Sequence, residues 1–319
     1  MEQVTGWKDI DPALRGASVA LGNFDGVHLG HRSVIDRARR ADAPLGIVTF
    51  EPHPREFFAP DAPPFRLMGA ETRANRLARL GVERLFTLPF NAELSRLSAR
   101  DFAAQVLRDG LGIAHVVVGA DFCFGKGRAG TAAMLADFGA EMGFDVTIAP
   151  LLTAADGAVS STAIRQALSA GQPGEAARML GHWHRIDGPV LHGEKRGRGL
   201  GYPTANMSVD GLHLPRFGVY AVKVDVLTGP HAGSHDGVAS LGIRPMFGEN
   251  LPNLETFLFD FDGDLYDAHL SVALVAFLRG EEAFDSVEAL VTQMDADSAR
   301  ARDVLAGVGA YAPGMEGAR

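Results

Sequence analysis

A chain of 319 residues is longer than one hydrophobic core usually organises, so two domains of ordinary size are expected. With 46% hydrophobic residues, a mean hydropathy of +0.04 and no apolar run approaching the roughly 20 residues that span a bilayer, it reads as a folded protein with no membrane partner. A net charge of −9 and a pI of about 5.6 argue against a nucleic-acid partner, because backbone neutralisation needs a concentrated basic surface; local basic stretches are left to serve small anions. The single cysteine, Cys123, excludes an internal disulfide framework, and the start, MEQVTGWKDIDPALRG, lacks the basic and apolar regions of a signal peptide, so a cytoplasmic protein is expected.

Through about residue 150, short apolar runs alternate with helical patterns: SVALG then HRSVIDRARRA, LGIVTF then ETRANRLARLGV, RLFTLPF then ARDFAAQVLRDG, HVVVGADF then TAAMLADFGAEMG, and finally DVTIAPL. Strands without apolar/polar alternation, separated by amphipathic helices, predict a doubly wound parallel α/β sheet covered on both faces. In such sheets ligands bind beyond the carboxyl ends of the strands, where the strand order reverses. GNFDG follows the first predicted strand, EPHP the second and GADFCFG the fourth, while SSTAIRQAL comes shortly after the fifth.

The connector SAGQPGEAARMLGHWHR predicts a short helix, and after about residue 182 the texture changes. FGVYAVKVDVL, HDGVASLGI, NLETFLFDF and HLSVALVAF are strand-like and separated by Gly, Pro and Asp turns, which predicts an antiparallel β-barrel or sandwich. A long C-terminal helix, DSVEALVTQMDADSARARDVLAG, closes the chain. The expected domains are residues 1–182 and 183–319.

Three stretches carry chemistry. In GNFDGVHLGHR, a helix beginning near His28 places His28 and His31 one turn apart on a shared face, with Gly30 letting a ligand approach the backbone. Unpaired amides at a helix start attract anions, and two imidazole donors beside them would complete a phosphate site. Two plainer readings stand beside it: one ring packed inside with the other solvated, or a zinc pair, for which no third ligand is evident at helical spacing. In HGEKRGRGLGYPTAN, four glycines and three cations suit a cradle for ATP phosphates. Thr204 and Asn206 point to one side of an extended segment, where both oxygens could face a magnesium ion. Along LETFLFDF, Glu255 is expected to share a face with Phe257, Phe259 and Phe261; partial desolvation there would move a carboxylate toward the range of a general base.

GNFDGVHLGHR resembles the nucleotidyltransferase signature of the bacterial bifunctional riboflavin kinase/FAD synthetases. The resemblance continues through FEPHP, GADFCFGKGRAG and SSTAIR, and into the second domain through HGEKRGRGLGYPTAN, FGVY, LETFLFDFDGDLY and FLRGEEAF. It implies phosphorylation of riboflavin to FMN with ATP giving ADP, then transfer of AMP from ATP to FMN, giving FAD and pyrophosphate, with Mg2+ required. It further implies that Gly22, Asn23, Phe24, Asp25 and Gly26 form the nucleotide loop, that His28 and His31 donate to the triphosphate, and that Asp121 contacts the nucleotide. Ser161 and Thr162 would bond phosphate oxygens and Arg165 would supply a fixed positive charge, although the same serines and threonine also suit an ordinary helix cap and Arg165 an exposed helix position. In the second domain the resemblance gives nucleotide binding to Gly193 and Arg198, metal and nucleotide binding to Thr204 and Asn206, and the role of base toward the ribityl 5′-hydroxyl to Glu255. His53 and Arg279 are expected to contact flavin, His53 alternatively locking a turn between its two prolines.

The chain departs from that pattern in places. Cys123 stands where the family often has Arg, and Ala158 where a basic residue is common, with Lys126 and Arg128 available to compensate. Ser240, Met246 and Phe257 replace residues usually Asn, Thr and His, which leaves open an alternative in which the second domain is a weak kinase or a flavin-binding module beside an active adenylyltransferase. A third reading, a non-catalytic flavin or nucleotide binder, gives no reason for a base at Glu255.

Overall fold

The computed structural model describes residues 1–154, 157–192, 201–246 and 249–309. The chain forms two compact units, one of Met1–Pro63 with Arg73–Val159, the other of Pro64–Thr72 with Ser160–Arg319.

The first unit is built on strands β1 (Glu2–Thr5), β2 (Ser18–Leu21), β3 (Leu45–Glu51), β4 (Arg84–Pro89), β5 (His115–Gly119) and β8 (Asp145–Ala149), with the two-residue strands β6 (Cys123–Phe124) and β7 (Gly130–Thr131) paired between the last two. The large sheet runs in the order β1-β4-β3-β2-β5-β8 and every neighbouring pair is parallel. All four residues of β2 and the first six of β3 are buried, as a sheet covered on both faces requires. Val19, Leu21, Val48, Phe86, Val116 and Val118 face a core completed by Phe102, Val106 and Leu107 and by Leu135 of helix α6 (Ala132–Met142). Helix α1 (Leu29–Arg37) packs against β2 and β5. After β2 the chain winds through β3 to β4, then crosses to the other side of β2 to form β5 and β8. The reversal therefore lies between β2 and β5, and the GNFDG turn leaves the carboxyl end of β2 there.

Two features of this unit were not expected. Edge strand β1 is three-quarters exposed and lacks the apolar run that announced the others. The helix predicted over ARDFAAQVLRDG starts as α5 (Ala99–Asp101) and continues as a π-helix over Phe102–Gly110. It ends at Gly110, where a Cβ would come within 2.5 Å of the Trp7 carbonyl oxygen. Helices α2 (Pro54–Phe58), α3 (Ala70–Arg79) and α4 (Ala92–Arg96) complete the chain order ahead of them.

In the second unit, α7 (Ser161–Ser169) and α8 (Pro173–Leu180) follow the short hairpin strands β9 (Thr153–Ala154) and β10 (Gly157–Ala158) in sequence. They precede an antiparallel sheet of β11 (His184–Pro189), β12 (Ala205–Ser208), β13 (Gly218–Val226), β14 (Gly233–Met246), β15 (Glu249–Leu258) and β16 (His269–Arg279). Its order is β11-β16-β13-β14-β15-β12, and an antiparallel bridge between Leu191 and Asn206 brings the two edges together, so the sheet is nearly a closed barrel. Tyr220, Val222, Val224, Leu241, Leu254, Leu270, Val272 and Leu274 fill the inside. The alternate residues Val219, Ala221, Ala273 and Val275 pack outward against Ala177 of α8 and against Ala301 and Leu305 of the C-terminal helix α9 (Val287–Ala306). The predicted architecture is thus present, with β11 and β12 added. Both are short, and β11 ends in Gly-Pro, a composition that reads as loop.

The motifs change near residue 182, whereas packing divides the chain at Val159/Ser160. The reason is the apolar stripe of α7. Ile164, Ala167 and Leu168 bury themselves against Leu67 and against Ala176 and Leu180 of α8.

Candidate active sites

The turn after β2 is conformationally demanding. Phe24, Gly26 and Val27 all have positive φ, of 52°, 88° and 41°, and the Val27 amide donates to the Phe24 carbonyl at 3.2 Å. A β-branched residue in that region is strained, and the burial of Phe24, Asp25 and Val27 holds it there. The turn delivers His28 to the N-cap of α1, where Nδ1 accepts the His31 amide hydrogen at 3.2 Å. Nδ1 is thereby an acceptor, which puts the proton of the neutral ring on Nε2. The two imidazoles stack with centroids 3.7 Å apart and planes 14° from parallel, and Phe24 leans on His31 at 5.2 Å. Burial, and secondarily the charge His28 would carry, hold the His31 pKa well below 6.5, while its Nδ1 is sealed from water without a hydrogen-bond partner. The predicted pair therefore exists as two adjacent rings, His31 held neutral, at a helix start. One of the expected unpaired amides, that of His31, is already satisfied by His28. Gly30 gives the ring room here, since a Cβ would crowd the His28 ring at 3.0 Å and push it by a few tenths of an ångström.

The Asn23 carbonyl accepts from Thr49 Oγ1 at 3.2 Å and from Arg73 Nη1 at 3.4 Å, and Arg73 Nη2 donates to Glu51 Oε2 at 2.9 Å. Arg73 is 4% exposed and was missed from sequence; the available signal was its place on the buried stripe of α3, four residues before Leu77. His53 caps α2, its Nδ1 accepting from the Arg55 amide at 3.1 Å while Glu56 accepts from the His53 amide at 3.1 Å. Just beyond it Phe57, Phe58 and Phe90 meet at centroid distances of 5.2 to 5.7 Å, and Phe58 is 69% exposed. Asp121 is exposed in the turn after β5, its backbone oxygen accepting from Cys123 Sγ at 3.6 Å. Lys126 and Arg128 are exposed on the next turn.

In the second unit Ser160 caps α7, accepting from the Ala163 amide at 3.2 Å, so Ser161 and Thr162 occupy its first turn. Arg165 Nε donates to the Phe65 carbonyl at 2.5 Å, with the guanidinium 5.2 Å from the Phe65 ring centroid.

On the barrel, the register sets Glu255 directly opposite Asn206 on one side and Ser240 on the other. Along β12, Ala205 and Met207 point inward, leaving Thr204 and Asn206 on the face that Glu255 shares; all three are half-buried. Asn206 Oδ1 accepts from Nδ2 of Asn253, a 1% exposed side chain that sequence reasoning also missed. Phe257 follows Glu255 on this face and packs on Tyr202 at 4.8 Å; the Tyr202 hydroxyl donates to Asp295. The expected aromatic row stops short. The strand ends at Leu258, the chain turns at Asp260 (φ 54°), and Phe261 packs into the inner core against His231 and His235. Arg279 is engaged by Asp297, with Nε donating to both carboxylate oxygens at 3.1 and 2.9 Å and Nη2 to one at 2.8 Å, which ties β16 to α9. Gly193 and Arg198 lie outside the described residues, as do the side chains of Ala158 and Met246.

The oxygens at Thr204 and Asn206 are hard donors of the kind magnesium takes when most of its shell is phosphate and water, and Asn206 Oδ1 keeps one lone pair beyond its bond to Asn253. The residues fit that ion.

A histidine pair at the switch point of a parallel sheet, and a carboxylate set opposite an asparagine and a serine on a small barrel, suit a two-part transferase. The comparisons specify it. A family model for FAD synthetase matches residues 10–163 and one for riboflavin kinase matches residues 180–305. A bifunctional riboflavin kinase/FMN adenylyltransferase of Pseudomonas fluorescens is 43% identical over 96% of this chain and 98% of its own length. One from Escherichia coli K12 is 37% identical over 90% and 92%. The crystal structure of a protein described as a macrolide-efflux protein from Streptococcus pneumoniae superposes with a TM-score of 0.79 at 30% identity, covering 96% of this chain and 99% of that one. Among the described residues here, no helix is long and apolar enough to cross a membrane. The chain belongs to the family of bifunctional riboflavin kinase/FMN adenylyltransferases.

Proposed function

We infer that the protein makes FAD from riboflavin in two ATP-dependent transfers, and that the observation carrying the kinase half is the register that sets Glu255 opposite Asn206. In the first transfer the Glu255 carboxylate accepts the proton of the ribityl 5′-hydroxyl as that oxygen attacks the γ-phosphorus, giving FMN and ADP. Magnesium bound with ATP would offset phosphate charge, and Thr204 and Asn206 are the residues to hold it. Gly193 and Arg198 belong to the phosphate cradle of this half.

In the second transfer an FMN phosphate oxygen attacks the α-phosphorus of ATP and pyrophosphate leaves. Both reactants are anionic, so this half must offset repulsion and hold them in line. His28 offers Nε2–H from a ring whose other nitrogen is fixed by the helix start, and His31 stands stacked beside it. Gly22, Asn23, Phe24, Asp25, Gly26 and Asp121 serve the nucleotide, and Ser161, Thr162 and Arg165 its phosphates. The exposed aromatic cluster at Phe58 suits the flat flavin ring. His53, which caps the helix carrying Phe58, supports the flavin from there, and Arg279 does so in the kinase half from the end of β16, which it ties to α9. Residues 1–182 and 183–319 are the corresponding motif-bearing halves. A cytoplasmic location belongs to the same reading, both transfers drawing on ATP, and neither a nucleic acid nor a membrane enters it.

Incubating the protein with riboflavin, ATP and magnesium and separating the flavins tests both halves at once. FAD is expected. FAD formed only from added FMN would confine the activity to adenylyl transfer, and neither product would defeat the reading. Glu255→Gln should abolish FMN formation yet spare FAD formation from FMN; equal loss of both would contradict separate chemistries.

A further inference from the structure

We propose that His213, in the loop before β13, is a positioning residue for adenylyl transfer that acts by clamping α7. The proposal rests on the reading that Ser161, Thr162 and Arg165 of that helix serve the transfer.

The His213 ring reaches the helix at two points. Nε2 lies 3.1 Å from the carbonyl oxygen of Arg165 and 3.0 Å from Oγ of Ser169. A carbonyl oxygen can only accept, so Nε2 carries the proton and donates to it, with the Ser169 hydroxyl oxygen sharing the same hydrogen. The backbone of the loop is fixed in turn. The His213 amide donates to the Arg66 carbonyl at 2.7 Å, and Leu212 forms a parallel bridge with Arg66. The preceding carbonyl, that of Phe65, receives Nε of Arg165. The circuit therefore closes on itself: Arg165 side chain to Phe65, Phe65 to Arg66 through the chain, Arg66 to His213, and His213 back to the Arg165 main chain.

This circuit fixes the guanidinium and the backbone that carries it against one short segment. Farther along the helix the Arg216 amide donates to the Leu168 carbonyl at 3.0 Å. The apolar stripe of Ile164, Ala167 and Leu168 supplies adhesion to Leu67 and α8, but apolar contact is non-directional and permits sliding. The directional restraint along the helix axis comes from the polar bonds, and the His213 ring is one that reaches the carbonyl of Arg165 itself. None of these residues is on the row Ser240, Glu255, Asn206, so riboflavin phosphorylation is expected to proceed without them.

Three variants of the full chain decide the matter. His213→Ala should lower the rate of FAD formation from FMN about tenfold, since small misplacements of positioning groups are costly. Riboflavin phosphorylation by the same preparation should be unchanged, and amide hydrogen exchange over residues 161 to 169 should accelerate. His213→Gln, which returns an N–H donor at similar reach, should recover most of the rate; His213→Phe, which keeps the volume without the donor, should not. A His213→Ala variant that adenylylates at the native rate overturns the proposal. So does parallel loss of both activities, or a Gln variant no better than Phe. Arg165→Ala separates the underlying reading from the clamp: native adenylylation in that variant would remove Arg165 from the transfer and with it the functional part of the proposal, while the exchange data would still report whether His213 holds the helix.

Discussion

Replacing His28 separates two jobs that one ring performs. Its Nδ1 accepts the His31 amide at 3.2 Å and so starts α1, while Nε2–H is the proposed phosphate donor. Asparagine is among the best N-cap residues, its side-chain oxygen accepting the same amide, whereas alanine leaves that amide unpaired at a cost of about 1 kcal/mol. Neither substitute places a donor where the imidazole Nε2 stood. Loss of one preorganised donor to developing oxyanion charge costs roughly 3 to 4 kcal/mol, a hundredfold to a thousandfold in rate. His28→Asn and His28→Ala should therefore both slow FMN adenylylation by about that factor. They should differ in stability, with the alanine variant melting about 2 to 4 °C lower for a unit of this size. Flavin separation after incubation with FMN and ATP reads the rate, and riboflavin phosphorylation by the same chain is the internal control. Melting of the first unit is followed through buried Trp7 in a Trp183→Phe background. Adenylylation within twofold of native in either variant would reject the donor role, and identical melting of the two would reject the capping role.

Replacing both Lys126 and Arg128 by Ala should raise the KM for ATP or FMN in adenylyl transfer if they make up for Cys123 and Ala158; unchanged kinetics would end that idea. Buried His184 has its pKa lowered from 6.5 to about 4, by burial first and by His213 second. The unfolded chain then takes up the proton before the folded one does, so stability is complete above pH 6.5 and erodes as pH falls toward 4, by roughly 3 kcal/mol in all. Urea midpoints read through Trp183 in a Trp7→Phe background should fall across that window in the native sequence and fall less in His184→Phe; parallel pH slopes would refute the assignment.

How much of this was legible in sequence followed from how local each cause is. β2, β3 and β5 were readable because their burial on both faces leaves continuous apolar runs, and the phase of His28 and His31 follows from helical spacing alone. The capping role of His28 was not readable, because it depends on a side-chain rotamer within a turn whose positive φ values at Phe24 and Val27 no propensity predicts. Arg73 and Asn253 were missed for another reason. Each is picked out only by its partner, Glu51 and the Asn23 carbonyl in one case and Asn206 in the other, and those partners lie 22 to 50 residues away. Glu255 was legible as an odd carboxylate among aromatics, but the row was extended past Leu258 because alternation gives no sign of where a strand stops.

Helix α7 shows the same division at the scale of domains. SSTAIR belongs by motif to the first half, and that grouping rests on which residues chemistry demands next to one another. Its apolar stripe, however, packs on Leu67, Ala176, Leu180 and Met179, and its carbonyls at Arg165 and Leu168 receive His213 and the Arg216 amide. Motif and burial therefore assign the helix to different parts of the chain. A cut after residue 182 would keep Leu67, Ala176 and Leu180 with α7 and remove only its polar partners His213 and Arg216, so on the proposed roles of Ser161, Thr162 and Arg165 the fragment 1–182 should adenylylate FMN more slowly than the full chain.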